Sequence, residues 1–444
     1  MQGDIHDPFA SVRAHTRNAT DARNLLRRRA AGGHDGWVKP GVNIPFPGGR
    51  ADPMWTVGGG RGPAVIPALR TWMPGTGAYR FGPGTRVLAS DPRLSGTAEL
   101  LAGELQAVTG VSIPWLGDHW AGPGDVVLGM DGGSGEGYRL DIGPVTEIRG
   151  TGAAGAFHGT RTLLQLLRQD WVIPAGRAED RPAYPERGLM LDVGRKYLTM
   201  AFLRRQIREL GYLKLNHLHL HLSDDLGFRL ESGTHPEITS AAHYSRAEIK
   251  ELVGYAARYH VRVLPEIDFP AHMGAILAAH PELKLVSRRG RVRDGLIDLS
   301  NPAAYALMGD LLGEFLPLFP GEYWHIGADE YVRDFRAYPR LSGPRAFARF
   351  VDWAGGVVRA AGKTARMWND GIRAPGVVSP EVVVEHWSAG GRTPWCGPAC
   401  RPADLVAAGH RVQNAAFTPT YYVTGGVSAP FNVPPAVMYA GWRP

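Results

Sequence analysis

Cysteine is nearly absent from this 444-residue chain: two occur, Cys396 and Cys400, both in "PWCGPAC". Two thiols cannot build a disulfide framework, though they allow one local bridge, and they are too few for a metal centre without further ligands. No apolar run approaches the ~18 residues that a bilayer-spanning helix needs. The N-terminus "MQGDIHDPFASVRAHTRN" also lacks the basic-then-apolar order of a signal peptide, so a soluble chain is expected, its compartment undecided. The formal charge is +7, but the basic residues are spread along the chain. The sharpest cluster, "RNLLRRRA" at Arg23–Ala30, lies in a polar stretch and reads as a solvated arm rather than a nucleic-acid clamp. What is plentiful is apolar surface: 44% of residues are hydrophobic, enough for a large core.

Three compositional regimes follow one another. Residues 1–63 are rich in Gly, Arg and Asp, and "PFPGGRADPMWTVGGGRGP" reads as linker. Residues 64–180 carry short strand-like runs ("TRVLAS", "DVVLGM", "YRLDIG", "VTEIRG") around two helical segments, the pattern of a small α+β domain. From residue 181 to 444, strand-length apolar runs alternate with amphipathic helices. The strands expected there are 187–193, 213–222, 261–267, 323–328, 364–369, 381–387, 410–415 and a final one at 436–442. Repeated strand–helix units imply parallel strands, and about eight of them predict an α/β fold with a (β/α)8 TIM barrel. Its C-terminal end reads as incomplete, because the chain stops at Pro444 with no closing helix.

A barrel of this kind keeps its site at the C-terminal ends of its strands. There the sequence places Arg187, Asp192 and Arg195; His219, His221, Asp224 and Asp225; Glu266, Asp268 and His272; His325, Asp329 and Glu330; Trp368, Asn369 and Asp370; Glu385 and Trp387; and Tyr421 and Tyr422. Asp329 and Glu330 are neighbours in "WHIGADEY". Side chains alternate along a strand, so both reach the mouth only where the strand has ended and the chain turns. Two close carboxyls, one driven toward its protonated form, make an acid and an anion at neutral pH. Trp368 and Trp387 supply flat apolar walls of the sort on which sugar rings stack, and the combination suggests a glycosidase. His217, His219 and His221 share one strand face, a pattern that also binds metals in hydrolytic barrels, with His386 and His410 as further candidate ligands. No carboxylate at the eighth strand completes such a set, so these histidines are read as hydrogen-bonded support for the acids, with no metal and no other cofactor.

The motifs "GAFHGTRTLLQLL", "RGLMLDVGRKYL", "LKLNHLHLHLSDDLGFRLES", "LPEIDFPAHM", "WHIGADEY" and "RVQNAAFTPTYYV" resemble, in order and spacing, glycoside hydrolase family 20, the β-N-acetylhexosaminidases and lacto-N-biosidases. That resemblance implies a small α/β domain before a catalytic barrel, and a substrate-assisted reaction in which the 2-acetamido group of the sugar replaces a protein nucleophile. It assigns the catalytic roles to Glu330, as acid and base, and Asp329, which orients the acetamido group. Arg187 matches the arginine that grips the terminal sugar's hydroxyls, Trp368 and Trp387 match pocket walls, and Tyr421, with Tyr422 as the alternative, matches the tyrosine that bonds the acetamido oxygen. Asp224 and His272 match the pair that supports the acid, with His221 and Asp268 in further support.

This chain departs from the family pattern at Ala328, where glycine is common, and after Tyr422, where Val423 and Thr424 replace a sugar-binding acid or amide. Trp442 near the end is followed by no acid. The implied substrate is a GlcNAc- or GalNAc-terminated oligosaccharide or glycan. Alternatives are an enzyme that releases a disaccharide, in the manner of a lacto-N-biosidase, and a relative that binds such sugars without cleaving them. Neither nucleic acid nor membrane is expected as a partner.

Overall fold

The structure is a computed structural model that describes residues 62–373, 376–388, 401–422, 433–436 and 438. The N-terminal extension before residue 62, the two cysteines, residues 437 and 439–442 of the eighth expected strand, and Val423, Thr424 and Trp442 lie outside the described residues; Ala436 and Met438, in the first part of that expected strand, are helical, the Met438 amide donating to Pro434 O (3.1 Å).

The first sheet has seven strands: β1 (Thr71–Arg80), β2 (Val87–Ala89), β3 (Trp115–Leu116), β4 (Val126–Met130), β5 (Tyr138–Ile142), β6 (Thr146–Gly150) and β7 (Val172–Asp180). Their order is β1-β7-β5-β6-β4-β2-β3, antiparallel from β1 to β6 and parallel beyond. Strands β5 and β6 alternate buried and exposed residues, as a sheet covered on one face requires. Helices α1 (Ser95–Thr109) and α2 (Ala153–Leu167) accompany it. Every residue of α2 from Gly155 to Leu167 is buried, because this helix packs on the sheet with one side and toward the second layer with the other. Phe157 on α2 meets Tyr259 and His260 of the barrel.

The second sheet is parallel throughout: β8 (Gly188–Asp192), β9 (His217–His221), β12 (Arg262–Phe269), β15 (Tyr323–Gly327), β16 (Thr364–Trp368), β17 (Val383–His386) and β18 (Val412–Asn414). Each strand pairs with the next one in sequence, the order of a (β/α)8 barrel, with seven of its strands among the described residues. Two short antiparallel pairs, β10 (Ser223–Asp224) with β11 (Gly227–Phe228) and β13 (Lys284–Val286) with β14 (Val292–Ile297), decorate the loops after β9 and β12. The crossover helices are α3 (Met200–Tyr212), α4 (Arg246–Arg258), α6 (Pro302–Phe315) and α7 (Arg345–Ala360), with a short α5 (Gly274–Ala279) after β12 and α8 (Pro402–Ala407) before β18.

Local signals set the helix starts. Thr199 accepts from the Phe202 amide at the head of α3, Ser245 and Glu248 form a reciprocal capping box on α4, and Asn301 caps α6 with Pro302 in its first turn. A continuous core of leucines, isoleucines and aromatics fills the space between strands and helices, with Trp324, Phe269 and Phe350 fully buried. Polar contacts tie the two sheets' layers together: Lys214 Nζ reaches Tyr138 OH (2.8 Å) and Asp180 (3.3 Å), and Asn216 Nδ2 donates to Glu136 Oε1 (2.8 Å).

Candidate active site

The strand interior is polar where the period of two points inward. Glu266 and Asp268 lie on the same face of β12 and both are fully buried. A buried carboxylate is costly unless polar groups surround it, and Glu266 accepts from the Trp368 indole N–H (2.7 Å) and is faced by three ring nitrogens, His219 Nε2 at 3.0 Å, His221 Nδ1 at 2.8 Å and His325 Nδ1 at 3.0 Å. Burial opposes its charge, but these histidines hold its carboxyl well below the usual range. The alternating histidines of β9 therefore serve a carboxylate. His217 departs from the other two, facing Asn216 Oδ1 at 2.9 Å, and His410 faces the Val382 carbonyl rather than a shared centre. One layer deeper, Arg366 joins Glu385 (3.0 Å) and Glu186 (2.5 Å).

Above this layer the two acids emerge. Strand β15 ends at Gly327, and Gly327, Ala328 and Glu330 all have positive φ (70°, 70° and 47°). This left-handed turn breaks the alternation and lets adjacent Asp329 and Glu330 share the mouth. It is strained at the two non-glycine positions. Gly327 has no room for a side chain, since a Cβ there would sit 1.7 Å from Asp268 Oδ1. The Ala328 amide donates to Phe269 O (2.7 Å), and the Glu330 amide donates to Asp370 Oδ2 (2.9 Å), which fixes the turn on both flanks.

Asp329 is largely buried, and its Oδ1 has no hydrogen-bond partner among the described residues. Burial pushes its carboxyl up, His272 opposes that rise, and Glu266 and Glu330 add to it. Burial, and after it the neighbouring Asp329, drive the Asp268 carboxyl well above the carboxylate range. His272, itself at φ 51°, stands between two groups of acids. Its Nε2 is 3.6 Å from Asp329 and 3.5 Å from Glu330, and its Nδ1 is 3.8 Å from Asp224 and 3.7 Å from Asp225. Burial disfavours its charge, but Asp329, Asp225 and Glu330 outweigh burial and raise its imidazole well above the ordinary range. Asp224 also receives His221 Nε2 (3.0 Å) and Arg195 Nη2 (2.9 Å).

The far wall comes from β16 and β17. Trp368 is buried and stacks on His219 with centroids 5.7 Å apart. Trp387 donates its indole N–H to Asp370 Oδ1 (3.2 Å), and Phe417 packs edge-on against it. Asn369 accepts from the Trp387 amide (3.0 Å). Burial and the nearby Asp329 raise Asp370 to about 7. Tyr421 lies within electrostatic reach of Asp329, Glu266, Glu385 and Asp370, and burial first, then these acids, raises its phenol; Tyr422 is 78% exposed.

The structure thus gathers Asp329, Glu330, Asp224, Asp268, His221, His272, Trp368, Trp387 and Tyr421 around one mouth. It does not bring Arg187 there. Arg187 precedes β8, at the end of the strand opposite the acids, and its guanidinium is held by Lys214 O (2.6 Å), Tyr184 O (2.8 Å) and Glu136 (2.8 Å) of the small layer. Its position five residues before Asp192 on a strand that rises about 3.3 Å per residue accounts for the separation. Glu266, Arg195 and Asp370 have structural roles that the sequence reading did not give them, although all three were visible as polar residues at strand ends.

Both layers of the fold match known proteins. Residues 184–425 match the glycosyl hydrolase family 20 catalytic domain, and residues 62–181 match domain 2 of the same family. The chain is 33% identical over 376 residues to the lacto-N-biosidase of Bifidobacterium bifidum, covering 80% of this chain and 33% of that protein. It is 32% identical over 286 residues to beta-hexosaminidase subunit A1 of Dictyostelium discoideum, covering 59% and 53%. The chain therefore spans between a third and about half of the length of these curated relatives. Among solved structures, the β-N-acetylhexosaminidase of Streptomyces coelicolor A3(2) aligns with a TM-score of 0.69 at 30% identity, covering 81% of this chain and 76% of that one. A mutant Streptomyces plicatus beta-hexosaminidase in complex with its product GlcNAc aligns at 0.70 and 30%, covering 81% and 75%. The chain belongs to glycosyl hydrolase family 20.

Proposed function

We propose that this chain is an exo-acting, retaining β-N-acetylhexosaminidase that removes terminal β-linked GlcNAc or GalNAc by substrate-assisted catalysis. The observation that carries the reading is the pair of acids in unlike surroundings: Glu330 is one-third exposed at the mouth, whereas Asp329 is largely buried and offers an unpaired Oδ1. Buried acceptors are normally satisfied, so an unpaired one at a mouth suits a ligand N–H.

In the proposed reaction the acetamido carbonyl oxygen attacks the anomeric carbon while Glu330 gives its proton to the departing glycosidic oxygen. The bond to the leaving group breaks and an oxazolinium ring forms. Asp329 accepts the acetamido N–H and stabilises the positive charge that develops on that nitrogen. Glu330, now a carboxylate, takes a proton from the water that opens the ring at the anomeric carbon, and two inversions leave net retention. His272 lies against both acids, and Asp268, whose carboxyl is pushed up by burial and by Asp329, lies beside Asp329. Trp368, Trp387 and Tyr421 border the space where the acetamido group must lie.

A second reading, release of a disaccharide, is favoured by one observation: a relative that aligns with 80% of this chain at 33% identity is a lacto-N-biosidase. Both activities use the same pair of acids. Reaction with a galactose-capped lacto-series tetrasaccharide distinguishes them: the exo-acting reading predicts no cleavage there and release of GlcNAc from a GlcNAc-terminated oligosaccharide, and a disaccharide released from the tetrasaccharide would overturn it in favour of the second.

A further inference from the structure

The tripeptide His-Pro-Glu occurs at 235–237 and again at 280–282, and the fold sets the two copies against each other. In each, the proline starts a short 3-10 turn (Pro236–Ile238 and Pro281–Leu283) with the histidine at its cap. The first copy lies in the connection after β11 and the second in the turn that follows α5, so they belong to successive strand-to-helix connections. His235 Nδ1 is 2.9 Å, and His280 Nε2 is 3.0 Å, from one and the same oxygen, Glu237 Oε1. The other nitrogen of each ring also faces a carboxylate: His235 Nε2 lies 3.3 Å from Asp310 Oδ2 on α6, and His280 Nδ1 lies 3.5 Å from Glu282 Oε1.

Three potential ligand atoms converge here: one each from His235, Glu237 and His280 lie within 4.8 Å of one another. Imidazole nitrogens and a carboxylate oxygen are donors that a first-row cation takes. A cation bound at Glu237 would draw on all three. The lone pairs of His235 Nδ1 and His280 Nε2 then join Glu237 Oε1 as ligands, while the outer N–H groups donate to Asp310 and Glu282. That outer carboxylate is the usual partner of a metal-bound histidine, where it fixes the tautomer. Ligands about 2.0–2.1 Å from a tetrahedral zinc ion lie roughly 3.3 Å apart, close to the separations found here. The two rings are partly buried, at 18% and 20% exposure, and Glu237 is exposed, which leaves a fourth position open to solvent.

We propose that His235, His280 and Glu237 form a binding site for a zinc-class divalent cation, with Asp310 and Glu282 as outer partners. Two nitrogens and one carboxylate suit borderline first-row ions rather than magnesium or calcium. The site clamps the second strand-to-helix connection to the third, and it stands independently of the reading of Asp329 and Glu330.

The test is zinc titration of the full chain after chelator treatment, followed by calorimetry, with thermal midpoints measured in parallel. Wild type is expected to bind one zinc that His235→Asn and His280→Asn do not bind, and zinc is expected to raise the midpoint of wild type only. Asp310→Asn is expected to weaken the same site by about 10–100-fold, as loss of an outer partner does. A wild-type chain that binds no zinc, or histidine variants that bind it as wild type does, would overturn the proposal. Should the histidine variants not fold, Glu237→Gln decides: it keeps size and hydrogen bonding and loses only the anionic ligand, so unchanged zinc affinity there counts against the site.

Discussion

At the residue scale, two carboxyls close to the acids do separate work. Asp370 touches the Glu330 amide with one oxygen and the Trp387 indole with the other, so it positions both the acid and a pocket wall. Asp370→Asn replaces one acceptor oxygen by an NH2 group that must face an N–H. A fall in kcat of about 10–100-fold with KM little changed is expected for loss of such positioning. The same residue gives a pH signature. Its folded pKa of about 7 lies above the unfolded value of ~3.9, so its proton stabilises the fold fully below about pH 4, and that stabilisation is lost as pH rises through about 7. Asn has no proton to lose. Between about pH 5 and 8 the wild type should therefore lose on the order of 2–4 kcal/mol relative to Asp370→Asn, measured by denaturant unfolding at both pH values. Equal losses in the two proteins would contradict the burial argument for Asp370.

At the scale of elements, the end of β15 decides whether the acids meet. Gly327 combines a positive φ with the close approach of Asp268. Gly327→Ala should destabilise by about 2–4 kcal/mol through overpacking and backbone strain, and should lower activity by displacing the Asp268–Asp329 pair. Thermal unfolding and kinetics on the same preparation check both effects. This element was legible in sequence up to a point. The apolar run and the two acids predicted a strand that ends at 328, and the strand ends at Gly327. The four amphipathic crossover helices also stood out, because periodicity is a local signal. Strand β1 did not: "TWMPGTGAYR" carries proline and two glycines, is mostly exposed, and is a strand only because β7 pairs with it at the sheet edge. The hairpins after β9 and β12 were illegible too, since three of their four strands have only two or three residues and no period to read. Site residues at strand ends were found from the period of two. Arg187 was misplaced because the motif that suggested it says nothing of where its guanidinium turns, and Glu136 and the Lys214 carbonyl, both remote in sequence, decide that.

At the scale of the whole molecule, buried ions join the small layer to the barrel. Lys214 is 6% exposed and pairs with Asp180 and the Tyr138 hydroxyl. Removing one member of a buried pair leaves the other uncompensated, so Lys214→Met should cost about 3–5 kcal/mol, measured by denaturant unfolding. Adding Asp180→Leu should recover part of that loss; a double variant as unstable as the sum of the singles would show that the pair is not coupled. The central claim, however, is that adjacent Asp329 and Glu330 divide one reaction between the substrate's own nucleophile and its leaving group. The most direct measurement is hydrolysis of p-nitrophenyl β-GlcNAc by the full chain beside its Asp329→Asn variant. The account predicts measurable wild-type activity and a fall of about 10²–10³ in kcat for the variant, the size of loss when a positioned electrostatic contact is removed. Unchanged turnover by Asp329→Asn would contradict it.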